Sequence, residues 1–231
     1  MNVILKYAGD FLSLFFPQLC SGCGKSLFKN ESVICINCVY HLPYTNFHLD
    51  NDNPVARQLW GRIPFNFAGA YLHFQKGSRV QNLMHELKYN NKPEVAFKLG
   101  EMYGRQLKSS ADFQNPDVII PVPLHPARQK KRGYNQSEYL AQGLAQSLNI
   151  PVKYILSRNV FTETQTRKSR FVRYENMKDV FVGSRNQDLE NKHVLVVDDV
   201  VTTGATIEAC AFELLKIKGL RVSVAAIAFT K

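Results

Sequence analysis

The stretch VLVVDDVVTTGAT, Val194–Thr206, constrains this chain more than any other. An unbroken apolar run suits a strand buried on both faces, as in parallel sheets. It ends in two acids, Asp198 and Asp199, and ligands of open α/β sheets bind at the carboxyl ends of strands. Val201, Thr202, Thr203, Gly204, Ala205 and Thr206 then form a turn that leads into a helix bearing Ile207. Backbone N–H groups in such a turn, together with a helix N-terminus, make an anion site. Paired carboxylates repel a bare anion. They suit a ligand that also carries hydroxyls and a magnesium ion, and a sugar phosphate has both parts. An ordinary capped strand–turn–helix accounts for one acid, but poorly for two acids and a hydroxyl-rich turn. Other phosphate motifs are missing: there is no GxxxxGK[ST], and Gly22–Gly24 is the sole GxG.

The rest of the chain reads as strands alternating with helices, which argues a parallel α/β sheet with right-handed crossovers. FNFAGAYLHF, DVIIPVP, VKYIL, HVLVVDD and LRVSVAAIAF read as strands. RVQNLMHELKY reads as a helix with Val80, Leu83, Met84 and Leu87 on one side. A second helix begins near Pro93, and SEYLAQGLAQSLN is a third, capped by Ser137. At 45% hydrophobic and 21% charged residues, the 231-residue chain can bury a real core. No stretch approaches ~18 uninterrupted apolar residues, so no membrane span is expected. The apolar N-terminus places Leu5, Ala8, Leu12 and Phe15 or Phe16 on one helical face and ends at Pro17. It reads as a packed amphipathic helix; the alternative, a signal peptide, lacks a small-residue cleavage site. A cytoplasmic protein is expected. HLPYTNFHLDNDNPVARQLWGRIP is rich in Asn, Asp and Pro and reads as an irregular connection. The expected division is residues 1–60 as a small N-terminal domain and 61–231 as the α/β domain.

Within the small domain, Cys20 and Cys23 (CSGC) and Cys35 and Cys38 (CINC) form two CxxC knuckles. Paired knuckles let four thiolates converge tetrahedrally on one structural zinc, with no open position for catalysis. An iron–sulfur cluster uses the same ligands. Disulfides lose ground without a secretion signal, and a redox site needs one CxxC rather than two. Cys210 stands alone on a helical face with Ile207, Ala211 and Leu214 and reads as a core thiol.

Lysine plus arginine exceed aspartate plus glutamate by 29 to 19, a net charge of +10 that suits anionic partners. The cations concentrate in two places. Arg128, Lys130, Lys131 and Arg132 follow the strand DVIIPV without an acid among them. The segment from Arg158 to Lys178 adds six more cations against Glu163 and Glu175. Arginine grips phosphate bidentately. The plain alternative for both runs is a solvated basic loop, and Phe161, Phe171 and Tyr174 either stack bases or pack their own loop.

VLVVDDVVTTGAT resembles the phosphoribosyl pyrophosphate (PRPP) motif of type I phosphoribosyltransferases. The whole chain is similar to the ComF family, also called ComFC- or GntX-like. The knuckles, LMHELKYNNKPEVA, PVPLHPARQKKRGYNQS, TETQTRKSRFVRYENM and the PRPP motif occur in that family's order along nearly the full length. The resemblance implies a type I phosphoribosyltransferase fold with a small zinc-ribbon-like domain, and a magnesium-dependent transfer to an unknown acceptor. It gives Asp198 and Asp199 to the ribose hydroxyls as the catalytic pair, and Val201–Thr206 to the 5-phosphate. Arg128, Lys130 and Arg132 fall to the pyrophosphate, and Thr162, Gln165 and Arg173 to a flexible flap. Family membership also implies a link to natural transformation, with single-stranded DNA and a competence helicase as partners. A non-catalytic DNA-binding or PRPP-sensing module is the competing expectation.

Overall fold

A computed structural model describes residues 15–110, 113–158, 181–183 and 187–230. In chain order the helices are α1 (Ile36–Tyr40), α2 (Pro54–Leu59), α3 (Arg79–Tyr89), α4 (Glu94–Lys108), α5 (Pro126–Arg132), α6 (Gln136–Leu148) and α7 (Ala205–Leu214). The strands are β1 (Ala68–His73), β2 (Val118–Pro121), β3 (Leu156–Arg158), β4 (Phe181–Gly183), β5 (His193–Val201) and β6 (Arg221–Phe229).

Four of these strands form an all-parallel sheet in the order β1-β6-β5-β2. The runs Val194–Val197 and Val224–Phe229 of its inner strands β5 and β6 are apolar because both faces are covered. Leu195 and Val197 of β5 face one buried layer with α3, α4 and α6. Val194 and Val196 face the other, with α2 and α7. β3 and β4 form a separate antiparallel pair. Of VKYIL, Val152 makes one parallel bridge to Ile119, and only Leu156 lies in a strand.

The cysteine knuckles are not a separate bead. Cys20, Ile34, Cys35, Cys38 and Leu42 are buried in the same apolar layer as Leu72, Leu83 and Leu87. The Asn82 side chain on α3 donates to the Gly22 carbonyl at 2.9 Å, tying the first knuckle to that helix.

Three local readings need correction. The stretch expected to be irregular contains α2, because Asn53 caps it: its Oδ1 accepts from Val55 and Ala56 N–H, and Pro54 fits the first turn. The same Asn53 donates to the Ala68 carbonyl, fastening α2 to β1. The basic run after β2 is the helix α5, not a loop; His125 Nδ1 accepts from Ala127 N–H at its start and left-handed Gly133 ends it. Finally, Asn135 rather than Ser137 caps α6, which leaves the Ser137 hydroxyl for other work.

α4 and α6 cross at glycine. A Cβ on Gly143 would lie 2.1 Å from the Phe97 carbonyl oxygen, and one on Gly100 would lie 2.5 Å from that of Leu140. Backbone cannot yield as a side chain can, so Gly143→Ala should force the helices apart. The expected loss is about 1–3 kcal/mol. Denaturant unfolding of the variant measures it, and an unchanged midpoint would show that the crossing tolerates a methyl group.

Candidate functional site

Parallel register sets the site. β2 ends at Pro121 opposite Val197, so β5 runs on past this neighbour, still paired with β6, and carries Asp198 and Asp199 beyond the end of β2. Around them opens a cleft of about 150 Å³, lined among others by Lys88, Arg128, Arg132, Gln136, Ser137 and Arg158. The four cations come from three elements: Lys88 from the last turn of α3, Arg128 and Arg132 from α5, and Arg158 from the end of β3.

The two carboxylates are held differently. Asp198 Oδ1 accepts from Ser137 Oγ at 3.1 Å and from the Asp199 N–H at 2.8 Å. Asp199 Oδ2 pairs with Lys88 Nζ at 2.8 Å. Burial first, and then the neighbouring Asp199 charge, push the Asp198 carboxyl up to about 7. On the cation side, burial and the nearby Arg128 charge both disfavour the Arg158 guanidinium. An arrangement in which carboxylates crowd one another and guanidinium groups repel suits a ligand that brings both a cation and an anion.

Gln136 belongs to the same wall. Its Oε1 accepts from Arg132 Nη1 at 2.8 Å, which fixes the amide's orientation. Its Nε2 is buried without a hydrogen-bond partner. A buried donor left unmade costs about 1–3 kcal/mol, so this nitrogen is suited to an acceptor atom supplied by a ligand.

Of the turn after β5, Val201 is buried, Thr202 and Thr203 are exposed, and Gly204 takes the left-handed conformation (φ 73°) at the start of α7. Ala205 and Thr206 open the helix, and Thr206 lines the cleft. Lys130 is exposed on α5 and does not line the cleft. Thr162, Gln165 and Arg173 lie outside the described residues. Sequence reasoning missed Lys88, Gln136 and Ser137. Lys88 sits in LMHELKY, where helical periodicity draws the eye to the apolar face and gives no hint that the last turn reaches Asp199. A second hollow, of about 480 Å³, adjoins the cleft through Lys88, Arg128 and Arg132 and adds Tyr89, Asn91 and Lys131.

At the knuckles, the sulfurs of Cys20, Cys23, Cys35 and Cys38 all lie within 4.8 Å of one another, positioned to bind a metal ion. Burial disfavours charge on Cys20, but the N–H groups of Cys35 and Gly22 aimed at its sulfur (3.2 and 3.4 Å) outweigh it and bring the thiol down to about 7. Burial and the adjacent thiols push Cys38 the other way. Four sulfurs this close cannot all be thiolates without a cation among them. His41 instead bonds the Asn37 carbonyl, and the His48 ring is buried near Phe47.

The fold and this strand-end site define a class. Residues 85–231 match the family model for the phosphoribosyl transferase domain, and the chain belongs to that family. Its relatives narrow the class to the ComF group. It is 30% identical over 209 residues to the DNA utilization protein YhgH of Escherichia coli K12, covering 89% of this chain and 87% of that protein. To competence protein F of Haemophilus influenzae it is 30% identical over 204 residues, 86% of this chain and 85% of that one. The competence protein ComFC of Bacillus subtilis is 33% identical over 107 residues, 46% of this chain and 41% of that protein. Among the described residues no helix is long and apolar enough to cross a membrane.

The Asp198 environment has a consequence for stability. A carboxyl raised from 3.8 to about 7 holds its proton more tightly folded than unfolded. Its stabilising contribution is therefore complete below the unfolded value and is lost as pH rises through about 7. Asn at this position keeps the acceptor for Ser137 but cannot ionise. Ligand-free Asp198→Asn should melt above the wild type at about pH 8, with the difference vanishing towards about pH 4. Thermal melts at the two pH values test this; a wild type more stable at the higher pH would mean the carboxylate holds the fold together.

Proposed function

We propose that the cleft binds PRPP together with magnesium and transfers the phosphoribosyl group to a nucleophile, releasing pyrophosphate. The observation that carries this reading is the acid pair at the end of β5 opening into one cleft with Lys88, Arg128, Arg132 and Arg158. Asp198 and Asp199 accept from the vicinal ribose hydroxyls, and Val201–Thr206 take the 5-phosphate on backbone N–H groups and threonine hydroxyls. Arg128 and Arg132 take the pyrophosphate, with Gln136 Nε2 as a further donor. The Asp198 and Asp199 carboxylates are oxygen donors of the kind a hard divalent cation prefers. Magnesium, when bound, would neutralise charge on the departing pyrophosphate.

In the transfer, a bond forms between the nucleophile and C1 of the ribose while the C1–oxygen bond to pyrophosphate breaks, its electron pair leaving with the pyrophosphate. The nucleophile gives up its proton to solvent or its own base. Arginine and lysine side chains already in place meet the growing negative charge without reorganising. Lys88 holds Asp199 in the resting site and is freed for phosphate oxygens as the ribose engages that carboxylate. The names of the relatives, DNA utilization and competence proteins, support placing this chemistry in the handling of DNA taken up by a cell.

A second reading, a module that binds single-stranded DNA, is favoured by the wider hollow. Tyr89 is exposed there among Lys88, Arg128, Lys131 and Arg132, and the Arg132 guanidinium stands 6.0 Å from its ring centroid. Aromatic faces and cations in one groove are what single strands use.

Calorimetric titration separates the two readings. Wild type should bind PRPP with magnesium, and Asp198→Asn with Asp199→Asn should abolish that binding while simple phosphate binds as before. Oligonucleotide affinity should hold or rise slightly in the same variant. It should fall with salt by about 0.7 per phosphate contact on logarithmic axes. Magnesium–PRPP binding as tight in the double variant as in the wild type would overturn the role of the acids; a flat salt response would end the DNA reading.

For the knuckles we propose one structural zinc on Cys20, Cys23, Cys35 and Cys38, closing the ligand set and pinning the module to α3. Elemental analysis of purified protein should find zinc at one per chain; iron in its place would point to a cluster instead.

A further inference from the structure

α2 and the residues behind it pack against the rear of the turn that follows β5. Arg62, just beyond that helix, makes the connection. Its Nη1 donates to the Thr203 carbonyl at 2.7 Å and to the Gln58 carbonyl at 2.8 Å. Its Nε donates to Glu208 Oε2 at 3.1 Å, and Nη2 pairs with the same oxygen. Glu208 lies in the first turns of α7 and is buried. One guanidinium therefore joins α2, the turn and the start of α7 across 146 residues of sequence.

The contact on Thr203 matters most. A trans peptide is planar and its C=O and N–H point in opposite directions. Fixing the Thr203 carbonyl on Arg62 therefore turns the Gly204 N–H to the other side of that peptide. The turn is seated closely from behind: Gly204 has φ 73°, and a Cβ there would come 3.0 Å from Leu59 Cδ2 and 3.5 Å from Arg62 Nη1. The peptide can neither rotate freely nor accept a side chain.

We propose that Arg62 is a positioning residue for the phosphate turn, holding the Thr203 carbonyl so that the Gly204 N–H faces the 5-phosphate of the ligand. The inference rests on the PRPP reading of the cleft. It goes further in assigning part of phosphate recognition to a residue outside both the turn and the strand that carries it. Arg62 does not touch the ligand; it sets the direction of a donor that does. The pyrophosphate end of the ligand, on α5 and Gln136, does not depend on it.

The ligand halves make the test selective. Arg62→Met keeps the apolar stem, and pairing it with Glu208→Gln leaves no buried carboxylate without its cation and no change in net charge. Full-length wild type and this double variant are titrated by calorimetry with ribose 5-phosphate and with inorganic pyrophosphate, each with magnesium. Ribose 5-phosphate should bind the double variant about tenfold more weakly, the scale of one charge-assisted hydrogen bond. Pyrophosphate should stay within about twofold. Glu208→Gln alone still accepts from Arg62 and should hold both ligands within about twofold.

Unchanged ribose 5-phosphate affinity in the double variant overturns the proposal, and so does an equal loss of both ligands, which would make Arg62 a general strut. A wild type that binds pyrophosphate but neither ribose 5-phosphate nor PRPP removes the parent reading. If the double variant fails to fold, Arg62→Lys, which cannot span both carbonyls and Glu208, is read the same way: a selective loss for ribose 5-phosphate sustains the proposal and none refutes it.

Discussion

Everything at the site turns on two adjacent carboxylates at the end of a strand buried on both faces. Strand geometry alone would point Asp198 and Asp199 to opposite sides of the sheet. Here β5 has outrun β2, so both side chains reach the same opening: one is held by Ser137 from α6, the other by Lys88 from α3. Burial of Asp198, and after it the neighbouring Asp199 charge, disfavour a second negative charge there and raise the Asp198 carboxyl. The surrounding cations offset the charge but do not fill the cleft, and they repel one another.

The sheet needs both faces covered to hold an apolar β5, and α4 and α6 achieve this by crossing at Gly100 and Gly143, closer than any side chain would allow. The helix α6 so placed begins at the cleft, where Ser137 meets Asp198 and Gln136 meets Arg132. α3 is shared between two sites. Its Asn82 braces the first cysteine knuckle and its Lys88 reaches Asp199, so the cysteine module and the cleft are joined by one helix of 11 residues. The knuckles sit in the same apolar layer as Leu83 and Leu87, so their packing and that of the cleft wall are shared.

Sequence and structure agree where a local rule is strong. The apolar run and its acids give β5, the CxxC spacing gives the sulfur cluster, and the helical periodicity of RVQNLMHELKY gives α3 from Arg79 to Tyr89. They part where a polar residue had more than one use. Asn53 lies in a segment dense in Asn, Asp and Pro, which reads as irregular, yet it is also an ideal cap, and burial against Ala68 decides in favour of the helix. Ser137 looks like a cap, but Asn135 takes that role and the hydroxyl turns to Asp198.

What the sequence determined by itself is chemistry that needs only neighbours along the chain: a buried strand, paired acids, a glycine-bearing turn into a helix, and two knuckles of thiols. Those features suffice for the fold class and for naming the acids of the candidate site, because each is fixed by backbone geometry and short spacing. What only the tertiary structure decided is which distant groups complete them. Lys88, Gln136 and Arg62 carry no local signal, since a lysine ending a helix, a glutamine starting one and an arginine after one are ordinary on any surface. Their meaning comes from packing, which brings Lys88 to Asp199, aims the Gln136 amide into the cleft and puts Arg62 behind Thr203. Long-range contacts of that kind are chosen by the fit of the whole core and leave no period or spacing in the chain.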